Sequence, residues 1–94
     1  MSEQPMYELI MQKTLDGSEL WLTRILIIST KQDCLDKLKK TLKSIDYAFS
    51  LLDLSIEIKG LQLAGNDVLE QRLFVLHGTE LETHSIFTVK PYTK

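Results

Sequence analysis

The chain has 94 residues, of which 44% are apolar, enough for one small domain with its own core and too few for two. Thirteen acidic and eleven basic residues give a net charge of −2, which argues against a strongly basic nucleic-acid binder and against a highly acidic mimic of DNA. Four glycines and two prolines exclude collagen-like and low-complexity sequences. We therefore expect a single small domain over 1–94, with an ordered unit at about 6–90.

The cysteine content and the N-terminus predict a cytoplasmic location. Cys34 is the only cysteine, so a disulfide within the chain is impossible, and one thiol suits a reducing compartment. Residues 1–5 show neither the basic nor the apolar region of a signal peptide. The longest run of aliphatic residues, 25–28, is far too short to cross a bilayer, so we expect no membrane partner.

The N-terminal third predicts a β-hairpin. Residues 7–12 read as a strand, Asp16 and Gly17 form a typical two-residue turn, and residues 19–28 are rich in β-branched and aromatic side chains. A turn centred on Asp16 and Gly17 fixes the register, with Met11 opposite Leu22 and Tyr7 opposite Leu26.

A helix follows the hairpin. Ser29 and Thr30 form a capping pattern with the polar residues three positions later. The helix is predicted from residue 30 to about 44, and the sequence leaves open whether residues 44–52 continue it. Its apolar stripe recurs at helical spacing and comprises Leu35, Leu38, Leu42, Ile45 and Phe49.

The remainder of the chain predicts strands. Residues 54–59 alternate between apolar and polar, and the alternation slips by one residue at Gly60, which suggests a β-bulge. Further strands are predicted at 68–77 and 83–90, with a turn at 78–82, although 67–73 also fits a short helix. The order ββαβββ indicates an α+β fold: a mainly antiparallel sheet of about five strands, with one long helix packed on one face.

A surface for a partner is expected on the first hairpin, because the predicted register leaves it apolar on both faces while one helix covers only one. Such a face favours contact with another protein or a second copy of the chain. The alternative is that the strands curl and bury these side chains in the core. The predicted partner-binding residues are Ile10, Trp21, Thr23, Ile25 and Ile27.

Basic residues provide a second candidate surface. Residues 25–45, with Arg24 just outside them, contain five lysines and two aspartates, a net charge of +3. Arg24, Lys37, Lys40 and Lys43 are candidate contacts for an anion or a nucleic acid. The alternative is a solvated helix face, with Arg24 at a sheet edge.

The two histidines and the cysteine are candidates for a metal site or a catalytic site. If the last hairpin is centred on Glu80 and Leu81, His77 lies opposite His84 at a distance suited to a shared metal, with Glu82 or Cys34 as a third ligand. Cys34 near the helix N-terminus could act as a nucleophile, but it also fits a small buried hydrophobic residue. The spacing matches no known metal or catalytic motif, so we expect no metal, no cofactor and no enzymatic activity.

These observations favour a small non-enzymatic regulatory or inhibitory module, which docks on a protein through an apolar sheet face or a strand edge and forms a homo-oligomer. The first alternative is a nucleic-acid accessory factor that uses the lysine-rich helix face. The second is a small metal-binding protein or enzyme that uses His77, His84 and Cys34.

Overall fold

A hairpin, one long helix and four further strands form the fold in a computed structural model, which describes residues 5–14 and 21–93. The predicted turn at Asp16 and Gly17 lies outside the described residues. The elements are β1 (Tyr7–Thr14), β2 (Trp21–Ser29), α1 (Lys31–Leu51), β3 (Ile56–Ile58), β4 (Gln62–Gly65), β5 (Val68–His77) and β6 (Glu80–Pro91).

Both ends of α1 are capped by local hydrogen bonds. At the start, Thr30 is extended and its hydroxyl accepts a hydrogen bond from the Asp33 N–H at 3.2 Å, which confirms the predicted capping pattern. At the end, Asp53 adopts a left-handed φ of 57°, and the N–H of Leu54 donates to the Phe49 carbonyl at 2.9 Å. This is a Schellman cap. The helix therefore continues through the segment that the sequence left open and ends at Leu51.

The sheet has the order β2-β1-β6-β5-β3, every pairing is antiparallel, and β4 pairs with β5 beside β3. The α+β class is confirmed. The sheet has six strands rather than about five because the predicted strand around Gly60 is broken in two. Ile58 lies opposite Leu73, and Gln62 lies opposite Glu70. The edge therefore uses four residues to cover a stretch in which β5 uses three. The predicted phase slip is thus one extra residue along the same edge, and the order ββαβββ holds when β3 and β4 are counted as one interrupted edge strand.

The last hairpin differs from its predicted register. Residues 68–73 belong to β5, which resolves the choice between strand and helix. The turn consists of Gly78 and Thr79, with Gly78 at a left-handed φ of 64°, and not of residues 78–82. Because the turn is short, β6 starts at Glu80, three residues before the predicted strand, and His77 pairs with Glu80.

The first hairpin also departs from its predicted register. Met11 lies opposite Arg24 rather than Leu22, and Tyr7 lies opposite Ser29 rather than Leu26. A bulge between Leu9 and Ile10 shifts the pairing by a further residue. A shift of one residue exchanges the two faces of a strand. On one side of the bulge the odd-numbered residues of β2 therefore face the helix, and on the other side the even-numbered ones do.

The hydrophobic core lies between α1 and one face of the sheet, as predicted, with the helix over β1, β2 and β6. The core continues onto β5 through the buried Leu73 and Val75. Leu9, Phe87 and Val89 come from the centre of the sheet and are fully buried. Leu38 and Leu42 meet them from the predicted helical stripe. The helix does not extend over the β3–β4 edge, and the described part of the molecule is 54 Å long in its longest dimension.

Candidate functional site

The sheet face turned away from α1 carries most of the residues predicted to bind a partner. Ile10 pairs with Ile25 on one side and with Thr88 on the other, and Gln12 pairs with Thr23. These residues alternate with the core residues of β1 and therefore point to the helix-free face. We call this surface, formed by Ile10, Thr23, Ile25, Ile28, Ile86 and Thr88, the outer face.

Two of the predicted partner-binding residues stand apart from this set. Ile27 pairs with Leu9 and packs against the core, so the expectation that it shares a face with Ile25 is wrong. The bulge between Leu9 and Ile10 is the physical reason, because it exchanges the two faces of β2 between Ile25 and Ile27. The backbone of Trp21 pairs with Thr14, and its side chain lies outside what the structure describes.

The two edges of the sheet differ in length. β2 is an edge strand of nine residues, with β1 on one side and no strand on the other among the described residues. Leu22, Ile25 and Ile28 along it are exposed, with 50% of Ile25 accessible. The opposite edge is divided into β3 and β4, of three and four residues. Short, broken edges resist pairing with other chains, whereas long ones invite it.

A cavity of about 400 Å³ opens between α1 and the sheet, beside the core. Met11, Leu26, Ile45 and Phe49 supply most of its apolar lining. Its charged lining residues are Lys13, Arg24 and Lys37, with His84 beside them. The structure thus brings together two of the predicted anion-contact residues, Arg24 and Lys37, from a strand and from the helix that follows it.

The other two predicted anion contacts, Lys40 and Lys43, do not line this cavity. Lys40 lines a neighbouring groove along α1, which shares Lys37, Thr41, Ile45 and Ala48 with the cavity. Lys43 is exposed and lines neither. Lys37, Lys40 and Lys43 follow one another at a spacing of three residues along α1, and Lys37 alone of the three lines the cavity.

Sequence reasoning missed Lys13 and His84 as partners of Arg24. A signal for Lys13 was present, because it continues the core-facing alternation Tyr7, Leu9, Met11 and places a charge where an apolar residue is expected. The position of His84 depends on a bulge in β5–β6, between Leu73 and Phe74, which sequence periodicity did not reveal.

The two histidines occupy different environments, and the predicted pairing of His77 with His84 is wrong. His77 lies opposite Glu80 and its Nε2 is 3.2 Å from a carboxylate oxygen of Glu82. The ring of His84 packs edge-on against Phe49 at 5.2 Å, and its Nδ1 is hydrogen-bonded to the Ser85 hydroxyl at 2.7 Å. Burial, and then the charge of Lys13, lower the pKa of His84. Within residues 5–14 and 21–93, no three His, Cys, Asp or Glu side chains are grouped so as to hold a metal.

Cys34 is a core residue. Its side chain is fully buried beside Leu38, and burial raises the pKa of its thiol. A thiol that is protonated and inaccessible is a poor nucleophile. The structure therefore places Cys34 where the hydrophobic interpretation expects it.

A second polar cluster ties the helix N-terminus to the β4–β5 turn. The Tyr7 hydroxyl donates a hydrogen bond to Asp67, and Lys31 Nζ lies 3.0 Å from the other carboxylate oxygen of Asp67. Lys31 also lies 5.5 Å from the centre of the Tyr7 ring. The hydrogen bonds from Tyr7 and Lys31 lower the pKa of Asp67, and the bond to Asp67 raises the pKa of both partners. Tyr7 and Lys31 both bind the carboxylate of Asp67, so we interpret this cluster as one that stabilises the fold.

Comparison with protein-family models, with curated proteins and with solved structures finds no match for this chain. No helix in the described part combines the length and the apolar character that crossing a membrane needs.

Proposed function

We propose that the chain is a non-enzymatic protein-binding module of the cytoplasm that works as a homodimer through the β2 edge and the adjoining outer face. The main support for this proposal is the difference between the two edges of the sheet. β2 offers nine residues with one charged side chain, Arg24, whereas β3 and β4 are short and separated. The cysteine content, a single residue that can form no disulfide within the chain, supports a reducing compartment.

A second copy is the partner that this edge fits best. Two β2 strands related by a two-fold axis run antiparallel, so their pairing extends the antiparallel pattern of the whole sheet. Each copy would then cover the exposed Leu22, Ile25 and Ile28 of the other. The net charge of −2 gives little repulsion between copies. A regulatory or inhibitory role follows if the same edge exchanges the second copy for a target strand.

The test is the mass in solution, measured by sedimentation for matched variants. We expect the unmodified chain to form a dimer of twice 10.8 kDa and Ile25→Lys to raise the dissociation constant at least about tenfold, since a lysine opposite an apolar strand must be desolvated. Leu22→Lys on β2 should act in the same way, and Leu63→Lys on β4 is the control with the same substitution.

Circular dichroism establishes that each variant remains folded. A monomeric unmodified chain at all accessible concentrations would overturn the proposal. So would a dimer that survives both β2 substitutions and dissociates in Leu63→Lys, because the opposite edge would then form the interface.

A further inference from the structure

The cavity between α1 and the sheet has an apolar floor and a cationic rim. Met11 and Leu26 line it from the sheet, while Ile45 and Phe49 line it from the helix. Lys13, Arg24 and Lys37 are the only side chains of full charge in its described lining. Two different surfaces, one apolar and one positively charged, therefore meet in a space of about 400 Å³, a size typical of small-molecule sites.

The three cations approach the cavity from different elements. Arg24 on β2 pairs with Met11 on β1, and Lys13 lies two residues beyond Met11 on the same face. Lys37 comes from α1, on the other side of the cavity. None of the three forms an ion pair with a carboxylate among the described residues. Three like charges around one cavity repel each other, and an anion between them adds attractions that offset this repulsion.

We propose that this cavity binds a small organic anion that joins one carboxylate or phosphate head group to an apolar body. The Arg24 guanidinium offers parallel N–H donors to two oxygens of the head group, and Lys13 and Lys37 add positive charge. The body lies on the side chains of Met11, Leu26 and Phe49. The cavity lies on the helix side of the sheet, and it shares Arg24 and Leu26 of β2 with the edge invoked in the proposed function. Anion binding does not require the dimer, so the two are tested separately.

Other occupants fit the cavity less well. A nucleic-acid strand needs a row of cations that follows its backbone, but Lys43 lies away from the cavity and Lys40 lines only the neighbouring groove. An acidic peptide would match the rim and leave the apolar floor unused. The combination of both features selects an amphiphilic anion.

The two histidines provide an internal reporter and its control. His84 lines the cavity, whereas His77 lies at the far end of the β5–β6 hairpin with Glu82. A bound anion counteracts the positive charge of Lys13 and is therefore expected to raise the pKa of His84. NMR titration of the two imidazole rings distinguishes binding in the cavity from binding elsewhere.

The experiment titrates the unmodified chain with decanoate and with decyl phosphate, which distinguish the two head groups. Decanol lacks the charge, and butyrate and inorganic phosphate lack the long apolar body. We expect the resonances of His84, and not those of His77, to shift with decanoate or decyl phosphate. Decanol, butyrate and inorganic phosphate are expected to bind at least about tenfold more weakly, a difference of about 1.4 kcal/mol.

Matched variants assign the binding to the cavity. Arg24→Gln should weaken binding about tenfold, and Arg72→Gln, which removes the only other arginine, should leave it unchanged. Lys37→Gln and Lys39→Gln form a second pair, since Lys39 does not line the cavity. Ala48→Trp fills the cavity from its exposed rim, leaves every cation in place and should abolish binding.

Three results would overturn the inference. The first is an unchanged His84 at about 1 mM decanoate and decyl phosphate. The second is equal binding of butyrate, inorganic phosphate and the ten-carbon anions, which would mean that the apolar floor contributes nothing. The third is a His84 shift that follows protein concentration rather than added anion, which would assign the cavity to a second copy. Dimer mass measured in the same samples separates failure here from failure of the proposed function.

Discussion

The Tyr7 hydroxyl donates a hydrogen bond to the carboxylate of Asp67, a residue that lies 60 positions further along the chain. This bond joins the first strand to the β4–β5 turn, and Lys31 adds the first turn of the helix to the same carboxylate. Asp67 holds this position with a left-handed φ of 58°, a conformation that aspartate tolerates better than most residues. One side chain thus connects three elements that are distant in sequence.

Asp67→Asn is expected to destabilise the fold over a defined range of pH. The pKa of Asp67 is lowered in the folded state, so its contribution is present above 3.8, its ordinary value, and is lost as pH falls through the folded pKa. The pKa values of Tyr7 and Lys31 are raised, so their contributions are present below 10.0 and 10.5 and are lost at higher pH. Urea unfolding should therefore show the largest difference from the unmodified chain between pH 3.8 and pH 10.0.

The control for this prediction is Asp46→Asn, which removes an exposed carboxylate from α1. The loss of stability in Asp67→Asn should disappear at a pH below the pKa of Asp67 in both the folded and the unfolded state. A loss that persists there would show that the amide itself disturbs the turn. The ion pair would then not be the cause.

His84 is expected to make the fold less stable in acid. Its pKa is lowered by burial and by Lys13, so the folded state binds its proton less readily than the unfolded state. Stability should therefore fall as pH drops below 6.5, the ordinary value, and level off below the folded pKa. His84→Phe should remove this slope from melting temperatures measured across that range and keep the packing on Phe49. His77→Phe is the matched control, and an equal loss of slope in both variants would contradict the assignment.

Two leucine-to-alanine substitutions should separate the covered and uncovered parts of the sheet. Leu9 is fully buried under the helix, so Leu9→Ala is expected to cost about 2–5 kcal/mol of unfolding free energy. Leu63 on β4 is 74% exposed, and Leu63→Ala should change stability by less than about 0.5 kcal/mol. Chemical denaturation measures both, and comparable losses would indicate that the β3–β4 edge is covered in solution.

The binding residues were only partly predictable. Arg24 stood out as a charge among apolar neighbours and Lys37 as a member of the lysine-rich helix face, and Ile10, Thr23 and Ile25 were placed together because strand alternation is a local property. Ile27 was misplaced because a bulge exchanges the faces of β2, and the bulge is visible only once β1 is paired with its neighbour. The position of His84 in the cavity was not predicted, because it depends on another bulge and on a turn that is shorter than predicted.

The sequence by itself determined the elements whose causes lie within a few residues. The Thr30 cap, the apolar stripe of α1 and the alternation of the strands depend on hydrogen bonds and side-chain spacing along one segment, and they were sufficient for the α+β class. The tertiary structure alone decided the strand registers, the contact of Tyr7 with Asp67 and the meeting of Lys13, Arg24, Lys37 and His84 around one cavity. Those arrangements depend on pairing between distant segments, where a shift of one residue changes which side chains meet and leaves every local pattern unchanged.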